Sequence, residues 1–262
     1  MNAGTPVMQA VETGHSLSDL SKASRGFLYD IRVLDIGQLD SLCLFARFDP
    51  TRYDPALFAQ LGVAEPKWLN RAVAKRQAEF LAGRLLARAA ISCLGGPDGT
   101  ISQSDRMPVW PIGWSGSISH CDTRCFCLVK HSETFLCGAD VERCPTGETL
   151  EAIWSETLTN RDKWFLSRYP EPKRRHLTTA VFSAKETLFK ALYPSVRAFF
   201  GFSAASLGSA PSGSLIRLRL NRDLNQSFPQ NACFDIRLRL DHAHVLTWIA
   251  QPWQTAGVQT AC

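Results

Sequence analysis

Apolar and polar positions change period several times along the chain, and the changes mark out its elements. Between Arg71 and Leu94 the residues are strong helix formers, with Val73, Phe80, Leu81 and Leu85 recurring on one face. This pattern predicts a helix opened by Asn70 and closed by Gly95-Gly96. Arg76, Arg84 and Arg88 fall at multiples of four residues and form a separate polar stripe. Residues 95–105 read as a loop, and 116–120, 125–130 and 134–142 as strands, the last two joined through His131-Ser132-Glu133 as a hairpin. Thr159-Asn-Arg-Asp162 has the form of a capping box at a helix start. A longer helix is predicted from Pro172 to Tyr193, stopped by Pro194, with Leu177, Val181, Leu188 and Leu192 as its apolar stripe. In the last third the period drops to two. Ile216, Leu218 and Leu220 alternate with Arg217 and Arg219, Phe234 to Leu240 alternate with Asp235 to Asp241, and 244–250 continues as a third strand. Helices mix with antiparallel strands in both halves without βαβ alternation, so the fold class is α+β.

Composition narrows the setting. With 262 residues, 45% of them hydrophobic and 20% charged, the chain has the make-up of a soluble globular protein with room for one large or two small cores. No apolar run approaches the roughly 18 residues of a membrane helix. The first residues are small and polar, without the basic-then-apolar order of a signal peptide, and 1–25 is expected to be a mobile tail. Nine cysteines at irregular spacing include no C-x-x-C pair, which points away from structural zinc and toward reduced thiols in the cytoplasm. A net charge of +5 suits an anionic small molecule or an acidic protein partner. It is too modest to indicate nucleic acid, and no nucleic-acid motif accompanies it.

Three short segments carry candidate chemistry. In Cys137-Gly-Ala-Asp-Val-Glu142, Asp140 and Glu142 stand two residues apart on a predicted strand. Their carboxylates therefore share one face and offer hard oxygen ligands of the kind magnesium takes. Within the long helix, Glu186 and Lys190 are spaced i, i+4 on a stripe apart from the apolar one. Upstream, Gly113-Trp-Ser-Gly-Ser-Ile-Ser-His120 is small and hydroxyl-rich and follows Arg106-Met-Pro-Val-Trp-Pro111; Ser, His and Arg are phosphate donors, and small residues admit a ligand to the backbone. Nucleophile and phosphate-loop signatures are absent. Ser117 replaces the second glycine of a nucleophile elbow, there is no P-loop or dinucleotide fingerprint, and Ser183-Ala-Lys185 has the wrong spacing for S-x-x-K. A Ser119–His120 nucleophile–base pair is disfavoured because neighbouring strand residues point to opposite faces.

The order of these segments is more specific than any one of them. The chain reads S-x-S-H, then G-x-D-x-E, then F-S-x-K-E-x-x-x-K. This succession resembles the 4′-phosphopantetheinyl transferase superfamily. Arg76-Gln-Ala-Glu79, Ala82-Gly-Arg84 and the Pro-Val-Trp-Pro run are similar to its enterobactin-synthetase-component-D branch, and Arg71 to Arg88 resembles the broad-specificity pseudomonad members. The resemblance covers about 49–240. Phe182 stands where the superfamily often has Trp, and Thr187 where Ser or Ala is commoner; neither change removes a charge.

The resemblance implies transfer of the 4′-phosphopantetheine arm of coenzyme A to a serine of an acidic acyl or peptidyl carrier protein, releasing adenosine 3′,5′-bisphosphate. It implies Mg²⁺, or Mn²⁺, held by Asp140, Glu142 and Glu186, with Glu186 as base and Lys190 at the leaving diphosphate. Lys185, His120 and Ser119 are expected at the coenzyme A phosphates, and Arg76, Arg84 and Arg106 at its 3′-phosphate and adenine end. The basic run Lys173-Arg174-Arg175 is a candidate docking surface for the carrier. The implied fold is a pair of similar α+β halves about a pseudo-twofold axis, 26–134 and 135–262, with antiparallel strands packed on helices and the active site in the cleft between. A cytoplasmic monomer, acting on neither nucleic acid nor membrane, is expected. A non-enzymatic module for coenzyme A or nucleotides is the rival reading, but it would have no use for three carboxylates.

Overall fold

The structure, a computed structural model, describes residues 14–37, 40–104, 107–241 and 243–252. The chain forms two compact units, Met1–Phe135 and Leu136–Cys262, each with its own core. Both combine antiparallel strands with helices, as the α+β reading requires.

The first unit begins with helix α1 (Gly14–Ala23) and strands β1 (Leu28–Leu34) and β2 (Ser41–Phe48). Short helix α2 (Ala56–Gln60) leads to the long helix α3 (Ala74–Cys93), then to β3 (Ser102–Ser104), β4 (Met107–Val109), β5 (Ser115–Cys121) and β6 (Arg124–Lys130). A four-stranded sheet runs β1-β2-β6-β5, and β3 and β4 pair separately. Helix α3 covers one face of the sheet, burying Leu81, Leu85, Leu86 and Ile91 with Leu44, Cys125, Cys127 and Val129. Its C-terminus closes on the predicted glycines: Gly96 N–H donates to Ile91 O and Gly95 N–H to Ser92 O, with Gly95 at a φ of +73°.

The second unit holds β7 (Phe135–Arg143), helices α4 (Glu148–Ala152), α5 (Asn160–Leu166) and α6 (Glu171–Val196), and strands β8 (Ala205–Leu207), β9 (Leu215–Leu220), β10 (Cys233–Asp241) and β11 (His244–Pro252). Its sheet runs β7-β11-β10-β9-β8, and α6 packs on β11, β10 and β9. The period-two reading holds here: Ile216, Leu218, Leu220, Phe234 and Ile236 are buried, while Arg217 and Asp235 pair across strands at 2.7 Å on the other face. The capping box also forms, with Asp162 N–H donating to Thr159 Oγ1 and Thr159 N–H to Asp162 Oδ2.

Several expectations are corrected. The N-terminal tail reading fails at α1, whose Leu17 is buried against the first core; residues 1–13 lie outside the described residues. Asn70 does not cap α3. It sits in a 3₁₀ turn, Leu69–Arg71; the Gln77 side chain donates to Leu69 O and to Ala72 O just after it, and extended Val73, 73% exposed, starts the helix. The 95–105 segment is not all loop, because β3 pairs with β4. Strands β6 and β7 do not form a hairpin: β2 and β5 occupy both edges of β6, and β7 pairs with β11 instead. Pro194 does not stop α6. It lies in the last turn, where its missing N–H forfeits one bond, and the end comes at Arg197 with φ +53°.

Candidate active site

The β7 segment Gly138-Ala-Asp-Val-Glu142 and helix α6 meet in the second unit. Gly138, Asp140 and Glu142 share one strand face. A Cβ on Gly138 would lie 2.2 Å from the carbonyl oxygen of Thr187 and 3.0 Å from Ala191 Cβ, so glycine is what lets the helix backbone approach this strand. Ser183, Glu186, Thr187 and Lys190, at i, i+3, i+4 and i+7, share that side of the helix.

Asp140 is only 2% exposed, and both of its oxygens are engaged. Oδ1 accepts from Lys190 Nζ at 2.6 Å, and Oδ2 from Ser183 Oγ at 2.7 Å. Lys190 also donates to Ala139 O at 3.3 Å. Burial pushes the Glu186 carboxyl above the usual carboxylate range, with Lys190 pulling it down and Asp140 pushing it up. Glu186 therefore sits within electrostatic reach of Lys190 and Asp140. Glu142 is half-buried, two residues along the strand. Asp140 and Glu186 carry two potential negative charges against the one ammonium of Lys190, and these two and Glu142 are oxygen donors of the type a hard divalent cation takes.

Lys185 has a different environment from the one expected. Its ammonium is buried and donates to Asp162 Oδ2 at 2.6 Å, Thr157 O at 2.9 Å and Phe202 O at 3.2 Å. All three N–H groups are thus committed inside the protein. Burial pulls its pKa below the ordinary lysine value, and Asp162 opposes the shift. Asp162 also accepts from Leu207 N–H at 2.7 Å, so this pair ties α5, α6 and β8 together.

The cationic residues gather in the first unit. Arg76 Nη1 lies 2.6 Å from His120 Nε2 and 3.3 Å from Glu79 Oε2. Arginine can only donate, so Nε2 accepts and the ring proton sits on Nδ1, 3.5 Å from Glu79 Oε2. Arg84 is not part of a solvated stripe. It is 7% exposed, with its guanidinium carbon 4.4 Å from the Phe80 ring centre and its Nε without a protein hydrogen-bond partner. Burial draws its pKa down to about 10, with the Cys127 and Cys125 thiols opposing and Arg76 adding to the fall. Ser119 is buried on the β5 face opposite His120, the residue that Arg76 meets. Arg106 lies outside the described residues.

Residues 64–130 match the 4′-phosphopantetheinyl transferase N-terminal domain, and 136–247 match the 4′-phosphopantetheinyl transferase superfamily domain. The chain belongs to the 4′-phosphopantetheinyl transferase superfamily. This transferase is an enzyme of that class, and one matched stretch falls within each of the two units. It is 32% identical over 160 residues to the 4′-phosphopantetheinyl transferase Npt of Nocardia iowensis, covering 58% of this chain and 70% of the relative. With Svp of Streptomyces mobaraensis it shares 33% over 159 residues, 60% of this chain and 64% of the relative. With enterobactin synthase component D of Salmonella typhimurium it shares 33% over 141 residues, 54% and 58%. Among the transferase's described residues no helix is long and apolar enough to cross a membrane.

Sequence reasoning missed Ser183 and Thr247 beside the carboxylates and Asp162 beneath Lys185. The capping box was the only signal at Asp162, and it disclosed one of that residue's roles. Nothing local marks Thr247, which reaches Ser183 from 64 positions away.

Proposed function

We propose that this transferase moves the 4′-phosphopantetheine arm of coenzyme A onto the serine of an acyl or peptidyl carrier protein, releasing adenosine 3′,5′-bisphosphate. The observation that carries the reading is the convergence of Asp140, Glu186 and Lys190 on one strand–helix contact in a chain of this family. Asp140, Glu142 and Glu186 would hold Mg²⁺ or Mn²⁺, which supplies charge neutralisation and orientation at a pyrophosphate. Glu186, its basicity raised by burial, takes the proton of the carrier serine directly or through water. The serine oxygen bonds to the β-phosphorus as the bond from that phosphorus to the bridging oxygen breaks, and that oxygen leaves on the 5′-phosphate of adenosine 3′,5′-bisphosphate. Lys190 exchanges its contact with Asp140 for the departing phosphate oxygens. Arg76 with His120, and the desolvated Arg84, supply cations for the phosphates of coenzyme A. No nucleophile is needed on the enzyme, because the attacking hydroxyl belongs to the partner.

An acidic carrier suits the exposed cations at the start of α6. Lys173 lies over Tyr169, and Arg168 over Trp164, which is 54% exposed. Trp154, by contrast, packs against the second core. The enzyme is read as a cytoplasmic monomer. The test is to incubate the full chain with coenzyme A, Mg²⁺ and apo carriers of the fatty-acid, polyketide and siderophore-peptide types, and to weigh the carriers. A gain of one phosphopantetheine arm is expected. Unchanged mass in every carrier, with the enzyme folded, would overturn the reading.

A further inference from the structure

Behind Asp140 lies a chain of hydroxyls that the proposed reaction does not use. Ser183 Oγ donates to Asp140 Oδ2 at 2.7 Å and lies 2.8 Å from Thr247 Oγ1, which lies 2.7 Å from Thr187 Oγ1. Thr187 Oγ1 is also 3.2 Å from the Thr247 carbonyl oxygen. Ser183, Thr187 and Thr247 are completely buried. They come from α6 and β11, so the chain links both elements to the aspartate on β7.

The carboxylate end sets the direction of donation. An ionised carboxylate only accepts, and each hydroxyl has one proton. Ser183 gives its proton to Asp140, so its oxygen can accept from Thr247, while Thr187 gives its own proton to the Thr247 carbonyl. The Thr247 and Ser183 dipoles then align toward a single carboxylate oxygen, with Thr187 anchoring the Thr247 backbone, in an interior where such bonds reinforce one another. Burying three hydroxyls is costly unless their bonds are made, and apolar residues of similar volume would fill the same space without that cost.

We infer that Thr187, Thr247 and Ser183 are a positioning array for Asp140. They pin Oδ2 inward and so present Oδ1, the oxygen now facing Lys190, to a divalent cation. The inference rests on the proposed role of Asp140 as a metal ligand. Outer partners of metal-bound carboxylates are worth about 10–100-fold in metal affinity. Thr247 is the informative position, because its hydroxyl reaches Ser183 Oγ, the donor to Asp140 Oδ2.

The test measures Mn²⁺ binding to the full chain without coenzyme A, by the electron paramagnetic resonance signal of free Mn²⁺, with urea unfolding run on every variant. Thr247→Val, which keeps the shape and deletes the hydroxyl, is expected to bind Mn²⁺ about tenfold or more weakly. Thr247→Ser is expected to restore wild-type binding. Wild-type affinity in folded Thr247→Val, together with loss of binding in Asp140→Ala, would overturn the array and leave the metal site standing. Equal losses in Thr247→Val and Thr247→Ser would overturn it as well, by assigning the effect to packing. Undiminished binding in Asp140→Ala would remove the metal reading and the array with it. If Thr247→Val does not fold, Ser183→Ala deletes the direct donor and carries the same expectation.

Discussion

In the first unit a glycine on the helix admits a strand side chain, and in the second a glycine on the strand admits the helix backbone. A Cβ on Gly83 of α3 would meet Ile118 Cγ2 at 2.8 Å, and one on Gly138 of β7 would meet Thr187 O at 2.2 Å. Each close approach has a charged residue beside it. Next to Gly83 stands Arg84, a buried guanidinium with one nitrogen unpaired. Two residues past Gly138 stands Asp140, a buried carboxylate near Glu186. The packing solution is shared and the charge left over is opposite, cationic in one unit and acidic in the other. Under-compensated charge in a tight interior favours a ligand of the other sign. This contrast underlies the proposal that the first unit binds phosphate and the second a cation.

The largest expected effect tests whether the second unit is as acidic in function as it looks. Its buried lysine Lys185 is neutralised internally by Asp162. Asp162→Ala should lower the unfolding free energy in urea by about 3–5 kcal/mol, because it leaves a buried ammonium unpaired. A loss well under 1 kcal/mol would return Lys185 to the candidates for phosphate binding. Next, Asp140→Asn should lower kcat/KM for carrier modification by roughly two to three orders of magnitude, matching several kcal/mol of charge stabilisation. Activity near wild type would end the acidic half of the comparison.

Gly138→Ala should destabilise the fold by about 1–3 kcal/mol or more, since the obstacle is backbone and cannot rotate away. Equilibrium unfolding measures it. Arg84→Met should raise KM for coenzyme A about tenfold, equivalent to ~1.4 kcal/mol, and raise the unfolding midpoint by removing a desolvated charge. A lower midpoint with unchanged KM would make Arg84 a structural residue. The smallest effect belongs to Gly83→Ala, whose obstacle is the tip of Ile118. Strain there is offset by about 1 kcal/mol of helix propensity, so the net change should stay within ~1 kcal/mol of zero. Equal costs at Gly83 and Gly138 would dissolve the distinction between the two contacts.

Much of this was legible in the residues because it is local. Alternation over two residues exposed β9 and β10, since strand side chains must face a core or the solvent. The same periodicity put Asp140 and Glu142 on one face, and the spacing of Glu186 and Lys190 put them on one stripe of α6. What failed was long-range. The turn after β6 looked like a hairpin, yet both edges of β6 were already taken. Arg84 had the spacing of a solvated stripe, but the approach of α3 to its sheet buried it over Phe80. Lys185 stands beside the candidate base, but it points to the other side of the helix, where Asp162 holds it.

The sequence by itself determined the fold class, the elements with clear periods, and the order of motifs that marks the family. Only the tertiary structure decided which charges stay available to a ligand. It paired Lys185 with Asp162, left Arg84 incompletely bonded, and placed Ser183 and, through it, Thr247 behind Asp140. The reason is that a charge's availability depends on solvent and on partners tens of residues away, and these are set when sheet and helix close on one another.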